Sequence, residues 1–323
     1  MANLPRASVV IPCYSEDRWA HTLRAIASAR AQTHPPEQVL VVVDHNDRLA
    51  SRLRAEVDGV VVLENSLERG VSGARTSAAA KATAPIIAFL DDDAAARPEW
   101  LACLVSPFSD PLVVGTGGAI VPEWERPAPR WFPLEFAWVV GGSLPGLPAT
   151  QAPVRNVWSA NMAVRAGTFE KVGGFRRDYG KVGAVARPED TDLCIRMGKV
   201  VDGGHWVYVP EAIVDHFVPA ERASLRFFLR RCRNEGWAKV QLALLLGGTD
   251  DLGPERDYLR KTVPLAIGNQ LWAFLRQRRA EQLAIAGTMI LGVGAAAVGA
   301  GDAVARSLVD RTCHRSASRR ARV

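Results

Sequence analysis

Ile86-Ile87-Ala88-Phe89-Leu90-Asp91-Asp92-Asp93 is the stretch whose reading decides the fold. A short, unbroken apolar run reads as a strand buried in a parallel sheet. Carboxylates that follow it lie at the carboxyl edge of that sheet, where open α/β folds bind ligands. Three adjacent negative charges repel one another unless something cationic joins them. A divalent metal carrying a phosphorylated substrate meets that need, because hard cations take oxygen ligands. The plainer reading is an acidic turn that caps the next helix, with Pro98 near its first turn.

Upstream, Ser8-Val9-Val10-Ile11-Pro12, Val39 to Val43 and Gly59 to Leu63 are further strand runs. Trp19, Leu23, Ile26 and Ala27 recur at helical spacing, and that helix ends near Thr33-His34-Pro35-Pro36. Ala74 to Ala84 is Ala-rich, a helix former. Strands alternating with helices predict a doubly wound, Rossmann-like α/β fold with a mostly parallel central sheet. Its strand-end loops bring Tyr14, Asp44 and Asp91 to Asp93 to one edge. Downstream, Val113 to Val121 is another strand, and Val157 to Val164 returns to strand-like sequence. Between them, Pro122 to Pro153 loses periodicity and reads as a long loop suited to substrate contacts. Thr168 to Phe175 reads as a short helix ended by Gly173-Gly174. Pro188 opens a helix with Glu189 and Asp190 in its first turn. Val207 to Val209 and Ala212 to Val214 are short strands ending at Asp215-His216. Ser224 to Leu246 is a helix with Leu225, Phe228, Leu229 and Cys232 on one stripe.

With 323 residues the chain is ample for a real core, and 48% hydrophobic against 23% charged residues excludes a disordered chain. The excess of 40 Lys+Arg over 34 Asp+Glu is modest and is concentrated in the tail Arg311 to Arg322. That tail lacks interleaved aromatics, so no nucleic-acid partner is expected. Five scattered cysteines without a CxxC pair exclude a disulfide framework or zinc site and fit a cytoplasmic compartment. Met1 to Arg6 carries no apolar signal core, so secretion is not expected. Val263 to Leu275 and Gln282 to Gly301 contain no charges. The second run has about the length needed to cross a bilayer, yet it is mostly Ala and Gly. Arg276, Arg278 and Arg279 precede it and Arg306 follows. A spanning helix, a helical hairpin on the membrane and a core-covering pair of helices all fit this pattern.

Taken together, the motifs resemble glycosyltransferase family 2, which has the GT-A fold. Val9-Val10-Ile11-Pro12-Cys13-Tyr14-Ser15-Glu16 resembles its opening strand, and Val43-Asp44 its second strand with a nucleoside-binding Asp. Arg69-Gly70-Val71-Ser72-Gly73-Ala74-Arg75 resembles its Gly-x-x-x-Ala-Arg stretch. Phe89 to Asp93 resembles its metal-binding Asp-x-Asp stretch, and Glu189-Asp190-Thr191-Asp192-Leu193 its Glu-Asp-x-Asp-Leu catalytic motif. The five occur in the family's order across Ser8 to about His216. The resemblance implies a GT-A catalytic domain over residues 1–220, with a nucleotide-binding half (1–121) and an acceptor half (122–220). Residues 221–323 follow as a helical, membrane-associated extension.

The resemblance also implies roles. Asp91 and Asp93 would hold Mg²⁺ or Mn²⁺, with His216 as a further metal ligand. Pro12, Tyr14, Glu16, Asp44, Arg75, Asp92 and Asn161 would contact the nucleotide-sugar. Asp190, with Glu189 beside it, would be the base that deprotonates a hydroxyl acceptor. The implied reaction is inverting transfer from a UDP-sugar to a lipid-linked or envelope glycan at the inner membrane face. A nucleotidyltransferase and a non-catalytic nucleotide-sugar or membrane scaffold are the alternatives. Pro12 to Asp17 contains no Gly, against the first, and the acidic motifs are intact, against the second. Departures are His45 where a second Asp is usual, and Thr76 where Asn is common. Arg233-Asn234-Glu235-Gly236-Trp237 stands where processive members carry Gln-x-x-Arg-Trp, so single-sugar transfer is expected.

Overall fold

The structure is a computed structural model. It describes residues 4–176, 181–182, 185–186, 188–248 and 252–320, with side chains for 4–176, 188–248 and 252–308. The basic side chains of Arg311 to Arg322, and Arg187 two residues before the Glu189-Asp190 motif, lie outside the described residues.

The apolar runs form the middle of one sheet. Strands β1 (Ala7–Cys13), β2 (Gln38–Val43) and β3 (Val61–Glu64) run parallel, with helices α1 (Trp19–Arg30), α2 (Asp47–Glu56) and α3 (Val71–Ala79) between and after them. β4 (Ile86–Leu90) pairs parallel with β1. Alternation along β1 divides the core. Val9 and Ile11 pack with Ile26 of α1 and Leu49 and Leu53 of α2. Val10 faces Ala74 and Ala78 of α3.

Beyond β4 the chain doubles back. β5 (Ala94–Ala96) follows the acidic triplet, then α4 (Trp100–Val105), β6 (Val113–Trp124), β7 (Ala152–Val154) and β8 (Asn161–Arg165). After them come α5 (Ala166–Lys171), the short pair β9 (Lys181–Val182) and β10 (Val185–Ala186), α6 (Glu189–Val200) and β11 (His205–Val218). The sheet order is β3-β2-β1-β4-β8-β6-β11-β5, with β7 also on β11. β8 lies antiparallel between β4 and β6.

Several expectations change. The triplet does not cap a helix: Ala94 N–H closes a turn onto the Asp91 carbonyl, and β5 begins at once. The run at 59–63 is a half-exposed edge strand. The Ala-rich helix begins at Val71 and stops at Ala79. α2 was unexpected; Asn46 caps it, accepting from Leu49 N–H at 3.0 Å. The two short strands before His216 are one strand, β11, whose register jumps between Val209 and Ile213.

The chain divides into two compact units, Met1–Glu125 with Val140–Val218 and Arg126–Val139 with Pro219–Val323. Arg126–Val139, placed by sequence in the acceptor half, thus belongs to the second unit. That unit is helical: α7 (Leu225–Leu246), α8 (Gly253–Asp257), a π-helical turn (Tyr258–Thr262), α9 (Val263–Gln277) and α10 (Ala280–Arg320). On the stripe expected for α7, Phe228 and Cys232 are buried whereas Leu225 is exposed. Phe228 meets the rings of Trp131, Phe132 and Phe136 at 5.9, 6.0 and 5.4 Å. α10 is long and apolar enough over Ala280–Leu308 to cross a membrane, by length and composition alone.

Candidate active site

The three carboxylates after β4 each find a cation. Arg75, 2% exposed on α3, donates from Nη2 to Asp91 Oδ1 at 2.5 Å. Arg18, from the turn after β1, reaches Asp92 Oδ1 at 2.5 Å and Asp93 Oδ2 at 3.0 Å. His216 Nε2 lies 3.3 Å from Asp93 Oδ1. Topology explains this last contact. β5 leaves the triplet and pairs antiparallel with β11, setting Ala94 opposite His216, and Phe217 N–H donates to the Asp93 carbonyl at 2.8 Å. Residues more than 120 positions apart in sequence thereby share one corner.

The first turn of α6 supplies the remaining acids. Glu189 Oε1 lies 3.5 Å from Arg75 Nη1, so one buried guanidinium faces both Asp91 and Glu189. The Arg75 guanidinium also stands 5.5 Å over the Phe175 ring. Phe175 N–H is held by Thr76 Oγ1 at 3.2 Å, which gives the departure at Thr76 a structural task. Asp190 accepts from Thr191 N–H at 2.7 Å. Asp192 is buried and turned to Arg196, with Nη2 to Oδ2 at 2.6 Å. Burial, then the neighbouring Asp190 charge, pushes the Glu189 carboxyl well above the usual carboxylate range, with Arg75 opposing. Burial does the same to Asp92, with Arg18 opposing. Asp92 Oδ2 and His216 Nδ1 are buried without a hydrogen-bond partner.

At the end of β2, Asp44 Oδ1 accepts from Asn65 Nδ2 at 2.7 Å and faces His45 Nδ1 at 3.0 Å. Its Oδ2 accepts from Gly70 N–H at 2.9 Å. The carboxylate is therefore fixed by the loop that leads into α3 and Arg75. Asn46 Nδ2 donates to the Tyr14 carbonyl at 3.1 Å, tying the first two strand-end loops together. The Tyr14 ring is half exposed, with the Arg18 guanidinium 5.2 Å from its centre. Pro12 is buried within β1 opposite Val42. Glu16 pairs outward with Arg48 Nε at 3.3 Å.

Asn161 lies inside the sheet. It is fully buried and fully engaged: Nδ2 donates to the Ala119 and Ala212 carbonyls at 2.8 Å each, and Oδ1 accepts from Trp100 Nε1 at 2.8 Å. It bridges the register jump between β6 and β11, where Pro210 to Ala212 bulge from the ladder. A Cβ at Gly118 would lie 1.8 Å from the Ala212 carbonyl, so only Gly permits this approach. Both amide hydrogens are spent within the protein, and the oxygen already accepts the Trp100 indole N–H.

Could the corner hold a cation? One ligand atom each from Asp91, Asp93 and His216 lies within 4.8 Å of the others, a set of hard oxygens and an imidazole nitrogen. Asp92 and Glu189 flank this set, with the guanidinium groups of Arg18 and Arg75 beside them. The donor set fits a divalent ion.

Residues 8–173 match the model of glycosyl transferase family 2. The chain belongs to that family. The glucosyl-dolichyl phosphate glucuronosyltransferase of Haloferax volcanii is 31% identical over 251 residues, 76% of this chain and 80% of the relative. Among solved structures, a mannosyltransferase from Pyrobaculum calidifontis in complex with GDP-Man and Mn²⁺ superposes with a TM-score of 0.59 at 19% identity. The alignment covers 93% of this chain and 88% of that one. GalNAc-T7 with UDP, GalNAc and Mn²⁺ gives a TM-score of 0.54 at 19% identity, over 80% of this chain and 55% of that one. These likenesses show the GT-A fold, and the enzyme is a hexosyltransferase by family.

One residue of this family 2 site escaped the sequence reading. Arg18 sits in a short turn capped by Ser15, outside any motif quoted above, yet it touches two of the three triplet carboxylates. The only local signal is its spacing, four residues after Tyr14.

Proposed function

We propose that this glycosyltransferase is metal-dependent and inverting, and moves one sugar from a nucleotide-sugar, a UDP-sugar, to a hydroxyl on a lipid-linked or envelope glycan. The observation that carries the reading is the convergence of Asp91, Asp93 and His216 beside Arg75 and the Glu189-Asp190 turn. Asp91, Asp93 and His216 would hold Mg²⁺ or Mn²⁺, which supplies positive charge opposite a departing diphosphate. Arg75 and Arg18, already within reach of the triplet, would add donors to phosphate oxygens. Asp44, held on two sides, would accept the imide N–H of uracil, and the exposed Tyr14 ring would flank the base.

Asp190 would take the acceptor proton. It stands in the first turn of α6, where the helix N-terminus favours a carboxylate. A direct attack on the sugar carbon, with one base and no covalent intermediate, inverts that centre. The name of the Haloferax relative favours a lipid-linked acceptor, and α10 favours a site at the inner face of the cell membrane. Residues 1–220 would be the catalytic part and 221–323 the membrane-associated part.

The test is release of nucleoside diphosphate by purified enzyme with Mn²⁺ across a panel of UDP- and GDP-sugars. One donor should be turned over, and transfer to a true acceptor should fall at least about a thousandfold in Asp190→Asn. Full turnover by that variant would remove Asp190 from the role of base.

A further inference from the structure

The outward face of α9 is apolar. Leu265, Leu271, Trp272 and Leu275 are 67, 43, 57 and 57% exposed, and they fall on one side of the helix, i, i+6, i+7 and i+10. Its inward face buries Val263 and Ala266. A surface helix bathed in water presents the reverse pattern. α10 continues the theme. Leu283, Ile290, Leu291, Val298, Val304 and Leu308 are all at least 42% exposed, along a stripe of about 38 Å at the helical rise.

The other side of α10 is closed by α7. A Cβ at Gly299 would lie 1.8 Å from the Arg233 carbonyl, and one at Gly236 would lie 1.9 Å from the Ala296 carbonyl. Arg233 Nη2 also pairs with Asp302 Oδ2 at 2.5 Å. α7 carries Arg226, Arg230, Arg231, Arg233 and Lys239, so a bilayer-spanning α10 would draw a highly charged helix into hydrocarbon. That packing leaves α10 one face to offer to lipid rather than all of them.

Charge states which apolar phase is met. Residues 258–308 contain six cationic side chains, Arg260, Lys261, Arg276, Arg278, Arg279 and Arg306, against Glu281 and Asp302. Three of the six sit at the joint between α9 and α10, and the Arg276 guanidinium stands 4.6 Å over the Trp272 ring. An aromatic ring with a cation over its face suits the headgroup boundary of an anionic bilayer.

We propose that the exposed faces of α9 and α10 form one interfacial docking surface that lies in the plane of an anionic membrane without crossing it. This rests on the membrane location proposed above and names the surface responsible.

The experiment is vesicle flotation of the full chain with equal parts phosphatidylcholine and phosphatidylglycerol, or phosphatidylcholine alone. The wild type should float with the mixed vesicles, far less with the neutral ones, and less as salt rises. Leu271→Glu and Trp272→Glu, both at exposed positions, should each weaken binding on the order of tenfold, and Trp272 fluorescence should be quenched by brominated acyl chains. Three results would overturn the proposal. They are retention in native membranes after alkaline carbonate washing, unchanged flotation of both variants, and a vesicle-independent dimer that these substitutions dissociate. Metal-dependent nucleotide binding by the same variants separates the two readings. Lost flotation with nucleotide binding intact concerns this surface only, whereas absent nucleotide binding with normal flotation sinks the catalytic reading and leaves the surface standing.

Discussion

Replacing Arg75 with Met removes a buried charge while keeping the length of the side chain. Arg75 faces Asp91 at 2.5 Å and Glu189 at 3.5 Å, and is itself 2% exposed. Deleting one partner of a buried ion pair costs about 3–5 kcal/mol. The Asp91 side chain is 26% exposed and retains some hydration, so the lower end, about 3 kcal/mol, applies. For a unit of this size that lowers Tm by roughly 6–12 °C. The loss should depend on pH. Arg75 opposes the upward push that burial and Asp190 exert on Glu189, so without Arg75 that carboxyl climbs further. Protonated Glu189 needs no cation, whereas ionised Glu189 does. The difference in Tm between wild type and Arg75→Met should therefore be largest near about pH 8.5 and shrink toward about pH 5.5. Thermal unfolding of both proteins across that range measures it. A gap below about 2 °C, or one that stays constant with pH, would refute the view that Arg75 balances these acids.

Arg18→Ala frees Asp92 and Asp93 from their cation, so added Mn²⁺ should raise Tm more than in wild type; an equal rise would show that Arg18 does not compete for these carboxylates. The transfer rate should fall on the acid side as Glu189 protonates above the usual carboxylate range, and Glu189→Gln, which mimics the protonated acid, should stay at the lowered rate and lose that limb of the pH–rate profile. Asn161→Ala strands the Trp100 indole N–H and two carbonyls, so it should cost about 3 kcal/mol by thermal melt while leaving nucleotide affinity unchanged.

Much of the parallel half of the sheet was legible because β1, β2 and β4 are buried at nearly every position, and hydrophobic runs report burial directly. The acidic triplet was legible for the same reason: it interrupts such a run. What could not be read is pairing between distant segments. The antiparallel insertion of β8 and the return of β5 onto β11, which bring His216 to Asp93, are tertiary choices. The burial of Asn161 was not legible because a polar residue opening a strand looks exposed, whereas its partners come from β6, the β11 bulge and α4. α2 was masked by its low hydrophobicity, although Asn46 and the Leu49–Leu53 spacing are both in the sequence. Arg126–Val139 looked like an open loop because its aromatic partner, Phe228, lies about ninety residues on.

The central claim is that Asp91, Asp93 and His216 hold a divalent cation through which a nucleoside diphosphate is bound. Calorimetric titration of UDP into wild-type and Asp93→Asn protein, with Mn²⁺ and with chelator, tests it most directly. Binding should require Mn²⁺ in the wild type and weaken at least about tenfold in Asp93→Asn. Equal affinity in chelator, or binding untouched by Asp93→Asn, would contradict it.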